Sequence, residues 1–255
     1  MRYAYWIWFA MIALWASGCA TLTQTQAVKM PDSPEVTRIL QSLSQANADL
    51  LSYKGTGKLM LRKGDGVQVV RAAWTGVRPD KIRIIIQGIT GFPIAGMAAD
   101  GSWLYLMSYS QDSYFKEEVH NPNLKKLVSI PVTAADVISL LSGVVPIRQY
   151  QSSILMPMPA QSGYVLSLMG KRGIDIEKIY LDQTRMQVLK IEMFTPEGQP
   201  AFRVEFGGES EFDGFRVPER FVFSDDNGVG FQLDVDKFWP NAPVSPDMFV
   251  ISPQG

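Results

Sequence analysis

Cysteine and histidine are almost absent from this sequence. The 255 residues include one cysteine, Cys19, and one histidine, His120. One cysteine excludes a disulfide within the chain, and one histidine with no second cysteine gives no zinc-type ligand set. His120 lies in the segment EEVHNPN, where asparagine and proline indicate a loop, so we interpret it as a solvated turn residue. No metal or cofactor is indicated.

Charge of either sign is not in surplus. The chain carries 24 Lys and Arg against 25 Asp and Glu, a formal net charge of −1. Nucleic-acid-binding domains normally carry a basic surplus, so that class is not indicated. No Gly-x-Ser-x-Gly elbow occurs. The segment GTGK at 55–58 lacks the spacing and the Ser or Thr of a phosphate-binding loop, so the sequence predicts no enzyme.

Long apolar runs are confined to the N-terminus. Residues 4–14 are apolar without interruption, and the small residues at 16–18 precede Cys19. The run is shorter than the roughly 20 residues that a membrane-spanning helix needs. A short basic start, an apolar core and a small-residue site are typical of a secretory signal peptide.

The segment Ala-Ser-Gly-Cys at 16–19 is more specific than an ordinary signal peptide. It resembles the bacterial lipobox, which implies a signal peptide over 1–18 and a lipidated Cys19, palmitate included. The Thr/Gln-rich residues 19–32 are then a flexible tether before a domain at 33–255. An ordinary secretory peptide with an incidental cysteine is the alternative. Ala20, where an aspartate would resemble the enterobacterial inner-membrane retention signal, favours an outer-membrane anchor facing the periplasm.

Two helices are predicted in the domain. Ser33 is a candidate N-cap followed by Pro34, and apolar residues at helical spacing extend this helix to near Ser52. Thr133, with Asp136 three residues later, has the pattern of a capping box, and Gly143 ends the second helix.

Alternating apolar and polar segments separated by turn dipeptides predict antiparallel strands. An Asp-Gly pair between such segments is a strong hairpin signal because type I′ turns need positive φ. We predict a mainly β (α+β) fold in which about ten or eleven strands curl into an unclosed barrel with helices over its concave face. From the pattern alone that interior is either filled or holds a ligand. The predicted turns are 64–66, 100–101, 182–183, 197–198, 213–214 and 227–228.

Methionine and an apolar loop are the unusual features that remain. The 12 methionines suit a surface that accommodates variable apolar shapes, although filling a core is the alternative. The segment QGITGFPIAG places Ile89 and Phe92 among glycine and proline, in a loop between two strands. These side chains are either packed under the domain or directed towards a membrane or ligand.

The order of these features resembles the LolA/LolB lipoprotein carrier superfamily. The resemblance rests on the lipobox, the first helix, GTGKLMLRKGDGVQVVRAAWTG, RPDKIRIIIQGITGFPIAGMAADGSW, AADVISLLSGVVP and the later segment with Asp213-Gly214 and Val217-Pro218. It implies helices as a lid over an apolar cavity that holds acyl chains of lipoproteins or related lipids, without catalysis. The lipobox makes the chain more similar to LolB-type acceptors than to soluble LolA-type carriers.

The resemblance also implies roles for particular residues. Ile89 and Phe92 match the apolar loop that helps LolB-type proteins deliver cargo to the bilayer, and a soluble LolA-like protein would be the donor. Arg71 and Arg83 are candidates for the lid-contacting arginine of the family. A structural or partner-binding envelope lipoprotein with a filled cavity is the alternative function. The candidate cavity-lining residues are Trp74, Met169, Met193, Phe194 and Phe206.

Overall fold

A computed structural model of the protein describes residues 32–63, 66–158 and 162–253. Within these ranges the α-helices are α1 (Pro34–Gln45), α2 (Lys125–Val128) and α3 (Ala134–Leu141), and short 3-10 turns occur at Lys171–Gly173 and Pro246–Phe249. The strands of the first half are β1 (Ser52–Lys63), β2 (Gly66–Val77), β3 (Lys81–Gln87), β4 (Pro93–Asp100), β5 (Trp103–Ser108) and β6 (Ser113–Glu118). The strands of the second half are β7 (Ser152–Pro157), β8 (Tyr164–Met169), β9 (Asp175–Leu181), β10 (Val188–Phe194), β11 (Pro200–Gly207), β12 (Ser210–Phe212), β13 (Phe215–Val217), β14 (Arg220–Ser224) and β15 (Gly230–Pro240).

Thirteen strands form one antiparallel sheet in the order β6-β5-β4-β3-β2-β1-β15-β14-β11-β10-β9-β8-β7, and β12 pairs with β13 separately. β6 and β7 are the two edges of this sheet, which confirms the predicted unclosed barrel with helices. The sheet has more strands than the predicted ten or eleven. The sequence of β7, SSILMP, has little alternation, and Pro218 separates β13 from β14 in a segment predicted as one strand.

Helix α1 begins where its cap predicts and ends earlier than predicted. The Ser33 hydroxyl oxygen accepts a hydrogen bond from the Val36 N–H at 3.2 Å, and Val36, Ile39 and Leu43 are buried. The expected end near Ser52 is wrong, since α1 stops at Gln45. A turn follows in which Asn47 has φ of 49°.

Helix α3 is fixed at its start by a capping box and near its end by a tyrosine. The Thr133 hydroxyl accepts from the Asp136 N–H at 3.2 Å, and the Asp136 carboxylate accepts from the Thr133 N–H at 3.1 Å. The buried hydroxyl of Tyr53 on β1 donates to the Ile138 carbonyl at 2.7 Å. α3 is thereby attached to the middle of the sheet.

The sheet has two differently covered faces. On the face that we call the interior face, α1 and α3 pack against side chains such as Trp74, Met193 and Phe221 in one continuous apolar cluster. A smaller cluster around Ala98, Tyr105, Met107 and Ile251 lies on the opposite face. Among the residues with described structure, no helix has the length and apolar character needed to span a membrane.

Candidate functional site

A cleft of about 360 Å³ opens where the C-terminal ends of α1 and α3 meet the sheet. Leu43 of α1, Leu140 of α3 and Phe206 of β11 give it apolar walls, and all three also pack in the interior cluster. Ligand pockets in proteins typically measure about 300–1,000 Å³ and have mostly apolar walls. The cleft is therefore at the small end of that range and is continuous with the protein core. Its polar lining includes Gln45, Asn47, Gln187, Glu209 and Arg216.

Asn47 joins three structural elements around this cleft. Its amide nitrogen donates to the carbonyls of Ser142 at 2.8 Å and Arg216 at 2.7 Å. Its amide oxygen accepts from the Arg216 N–H at 3.2 Å. The Asn47 carbonyl in turn accepts from Arg78 Nη1 at 3.1 Å. One side chain thus connects the end of α1, the end of α3 and the β12–β13 hairpin, and no sequence motif indicated it.

Three of the five predicted cavity-lining residues lie on the interior face. Trp74 and Met193 are buried, with 4% and 3% of their surface exposed. Phe206 is half-buried, makes an edge-to-face contact with Phe221 at 5.9 Å between ring centroids, and is the one of the five that lines the cleft. Trp74 lies across Gly55 of β1, where a Cβ atom would come within 2.3 Å of the indole. The Trp74 ring therefore requires glycine at that position.

The other two predicted lining residues lie outside the interior cluster. Phe194 follows Met193 in β10, and consecutive strand residues point to opposite faces. The ring of Phe194 is half-buried, with Lys178 Nζ 5.1 Å from its centroid. Met169 is half-buried at the end of β8, directly after the fully buried Leu168. Neither Met169 nor Phe194 belongs to the interior apolar cluster or lines the cleft.

A fully buried glutamate lies on the interior face beside α3. Glu177 of β9 is 0% exposed and accepts from the Arg148 N–H at 2.8 Å through one carboxylate oxygen. Its other oxygen has no hydrogen-bond partner among the described residues. The Arg148 guanidinium pairs at 2.7 Å with Asp136. Burial raises the pKa of Glu177 to about 8, although the Arg148 N–H and its charge act in the opposite direction, so the carboxyl is protonated at neutral pH.

The two large apolar residues of the loop between β3 and β4 are both exposed. Ile89 is 102% exposed and Phe92 74%. The loop is closed by a hydrogen bond from the Gly88 N–H to the Phe92 carbonyl at 2.9 Å, and Gly91 has φ of 84°. Of the alternatives that the sequence left open, packing under the domain is wrong. Both side chains are exposed to solvent.

The arginine candidates and the single histidine have other surroundings. Arg83 Nη1 donates to the Met248 carbonyl at 3.0 Å, in the C-terminal segment, and Arg71 is exposed on β2. The arginine that bonds to the turn after α1 is Arg78. His120 is exposed, with Nδ1 2.8 Å from the Gly101 carbonyl oxygen. No group of three His, Cys, Asp or Glu suited to a metal ion occurs within the described ranges.

The predicted lipidation site Cys19 and most of the predicted tether at 19–32 lie outside the described residues. The described chain starts at Asp32, whose carboxylate accepts hydrogen bonds from the hydroxyls of Tyr150 and Ser153. Ser153 belongs to the edge strand β7. The first described residue is therefore held at this edge of the sheet.

Comparison with known proteins finds similarity in structure and none in sequence. No family model and no curated protein matches the sequence. A LolA superfamily protein from Nitrosomonas europaea superposes with a TM-score of 0.59 at 13% identity, covering 84% of this chain and 97% of that one. A putative outer membrane lipoprotein-sorting protein domain from Vibrio parahaemolyticus gives a TM-score of 0.61 at 12% identity, covering 83% and 94%.

A third solved structure is equally similar. A DUF1329 family protein from Desulfovibrio piger gives a TM-score of 0.61 at 10% identity, covering 86% of this chain and 98% of that one. At such identities the likeness concerns the fold. The chain has the fold of the LolA superfamily, which confirms the predicted resemblance at that level.

Proposed function

We propose that the protein is an outer-membrane-anchored lipoprotein that shields acyl chains of lipoproteins or other lipids and delivers them to the membrane. The observation that carries the proposal is the cleft, whose apolar walls at Leu43, Leu140 and Phe206 continue into the interior of a LolA-type fold. Burying an acyl chain there recovers roughly 25 cal/mol per Å² of apolar surface. The polar rim at Asn47 and Arg216 suits the more polar end of an amphiphile.

Anchoring and delivery involve other parts of the chain. Acyl groups on Cys19 hold the domain at the bilayer, because each buried CH₂ contributes about 0.8 kcal/mol. Ile89 and Phe92, exposed on their loop, insert into the same bilayer during delivery. A soluble LolA-like donor supplies the cargo, and no catalytic step is involved.

Two phenylalanines give a matched test of the cleft. Phe206→Ala should weaken binding of a fluorescent fatty acyl probe about ten-fold, because it removes an apolar wall of the cleft worth roughly 1–2 kcal/mol. Phe194→Ala removes an equally large, half-buried ring from outside the interior cluster and should leave the affinity unchanged. Titration of the full chain with the probe, followed by its fluorescence, measures both. Equal losses in the two variants would contradict a site in the cleft.

The packed interior favours a second candidate function. The apolar cluster extends between the helices and the sheet, from Val36 on α1 to Phe223 on β14. A structural or partner-binding envelope lipoprotein would need no more than this packed core. This candidate predicts no uptake of the acyl probe by the unsubstituted chain, whereas lipid carriage predicts saturable uptake.

A further inference from the structure

The β1–β2 hairpin extends beyond the strands on both sides of it. β2 pairs with β3 from Arg71, opposite Gln87, onwards, and β1 pairs with β15 only as far as Leu61. Since β3 ends at Gln87 and the Gly88 N–H donates back to the Phe92 carbonyl, the loop 88–92 lies beside the part of β2 that precedes Arg71. The hairpin and the loop of Ile89 and Phe92 therefore project side by side from one end of the sheet.

The outward face of this hairpin carries exposed apolar residues near the tip and basic residues beside and behind them, since Arg62 lies opposite Val67 in the register. Val67 and Val69 are 62% and 52% exposed, and Met60 lies directly opposite Val69 in the register. On the same face, Lys58 and Arg71 lie directly opposite each other and are both exposed. Two residues along a strand span about 7 Å. The basic pair is therefore set back from the Met60–Val69 pair by that distance.

This combination of apolar and basic side chains fits a membrane surface. Contiguous exposed apolar patches rimmed by polar residues are typical of protein and membrane interaction sites, whereas single exposed apolar residues are common on any surface. Apolar side chains that enter the acyl boundary, with Lys or Arg at headgroup level, are typical of proteins that bind anionic bilayers. Lys58 also lies opposite Asp234 of β15 in the register, and the Asp234 carboxylate accepts from Arg220 Nε at 2.6 Å. Arg71 lies opposite the neutral Gln87 of β3, so the basic residues on this face outnumber the acidic one and suit an anionic partner.

A neighbouring turn shows where this surface ends. Val229, in the turn between β14 and β15, is 44% exposed at the same end of the sheet. Its turn carries Asp225 and Asp226, both without a cationic partner among the described ion pairs. Anionic headgroups repel such a turn. Exposure of an apolar residue at this end of the sheet is therefore not sufficient to predict membrane contact. The nearby charges distinguish the hairpin, which is basic, from this turn, which is acidic.

We propose that the outward face of the β1–β2 hairpin and the loop of Ile89 and Phe92 together form a two-part contact surface for an anionic lipid bilayer. The hairpin part deepens the proposed function and rests on its membrane delivery step. The cleft lies at the opposite end of the sheet, where β10 begins at Val188 and β11 ends at Gly207. Contact through the hairpin therefore directs the cleft away from the bilayer, towards a soluble donor.

The test uses the full chain, held through its own anchor in nanodiscs, with an environment-sensitive NBD dye at one cysteine. The variants are Val67→Cys, Val69→Cys, Phe92→Cys and, as the matched control, Val229→Cys. In the anchored chain the Cys19 sulfur is already bonded to lipid, so the unsubstituted chain, treated in the same way, gives the background from non-specific dye. We expect a blue-shifted emission and loss of intensity with doxyl-labelled lipids at 67, 69 and 92, and neither at 229.

Lipid composition separates the possible outcomes. The signals at 67 and 69 should be strong in nanodiscs of phosphatidylcholine with phosphatidylglycerol and should weaken with phosphatidylcholine alone or on Lys58→Gln and Arg71→Gln substitution. Quenching at 92 without quenching at 67 and 69 would overturn the hairpin proposal while leaving the loop in place. Equal quenching at 229 would also overturn it. Uptake of the acyl probe is read separately, so failure of the proposed function is distinguishable from failure of this inference.

Discussion

As the pH rises from 5 to 8, the free energy of unfolding of the Glu177→Gln variant should increase by about 3 kcal/mol relative to that of the unsubstituted chain. Burial raises the pKa of Glu177 to about 8 in the folded chain, whereas an exposed glutamate has a pKa of about 4.3. In this pH interval the unfolded chain has released a proton that the folded chain still holds. Rising pH therefore favours unfolding until the folded pKa is passed, and glutamine escapes this loss. Urea unfolding at several pH values measures the difference.

Glu192 on the neighbouring strand β10 provides a control of opposite sign. Partial burial acts to raise its pKa, but hydrogen bonds from Lys190 and Tyr180, both at 2.7 Å, lower the pKa below its ordinary value. Its ionised form therefore stabilises the fold above the unfolded pKa, and that contribution is lost as pH falls through the folded pKa. Glu192→Gln should be less stable than the parent at neutral pH and equal to it in acid. Parallel pH curves for Glu177→Gln and the parent would contradict a buried, neutral Glu177.

The double variant Ile89→Glu, Phe92→Glu should slow transfer of a bound acyl probe to vesicles at least about ten-fold while leaving probe uptake unchanged. Both side chains are exposed, so the charges cost little in the folded domain. Their cost arises when the loop enters the bilayer, because carboxylates must be desolvated there. Stopped-flow fluorescence of the loaded full chain mixed with vesicles measures the transfer rate.

Val229→Glu is the matched control for this experiment. Val229 is also an exposed apolar residue at that end of the sheet, but it lies in the acidic turn after Asp225. Its substitution should leave the transfer rate within about two-fold of the parent, as expected for a surface change away from the contact. Slow transfer in both variants would indicate a general effect of added charge, and fast transfer in the loop variant would remove the loop from the delivery step.

Local signals in the sequence predicted local structure well. Ser33 and Thr133 cap their helices as predicted, because capping depends on residues within one turn. The pair Asp100–Gly101 connects β4 to β5, and Gly101 has the positive φ that the turn needs. The LolA-type fold was indicated by the order of the lipobox, the first helix and the longer segments that carry the resemblance.

The candidate site depended on contacts between distant residues and was largely missed. Asn47 bonds to Ser142 and Arg216, which are 95 and 169 positions away. Glu177 lies on the same side of β9 as the buried Ile179 and Leu181. Polar residues occur on both sides of this strand, so sequence alternation could not assign Glu177 to a face. The prediction that Met193 and Phe194 both line the interior was inconsistent with strand geometry, because adjacent residues point to opposite faces.

The most direct measurement is mass spectrometry of lipid that co-purifies with the full chain extracted from bacterial envelopes. The account predicts a non-covalent acylated molecule released on denaturation, in addition to any acyl groups on Cys19, and its amount should fall in the Phe206→Ala variant and not in Phe194→Ala. A chain that carries no released lipid and takes up no acyl probe would contradict the account and leave a domain with a filled interior.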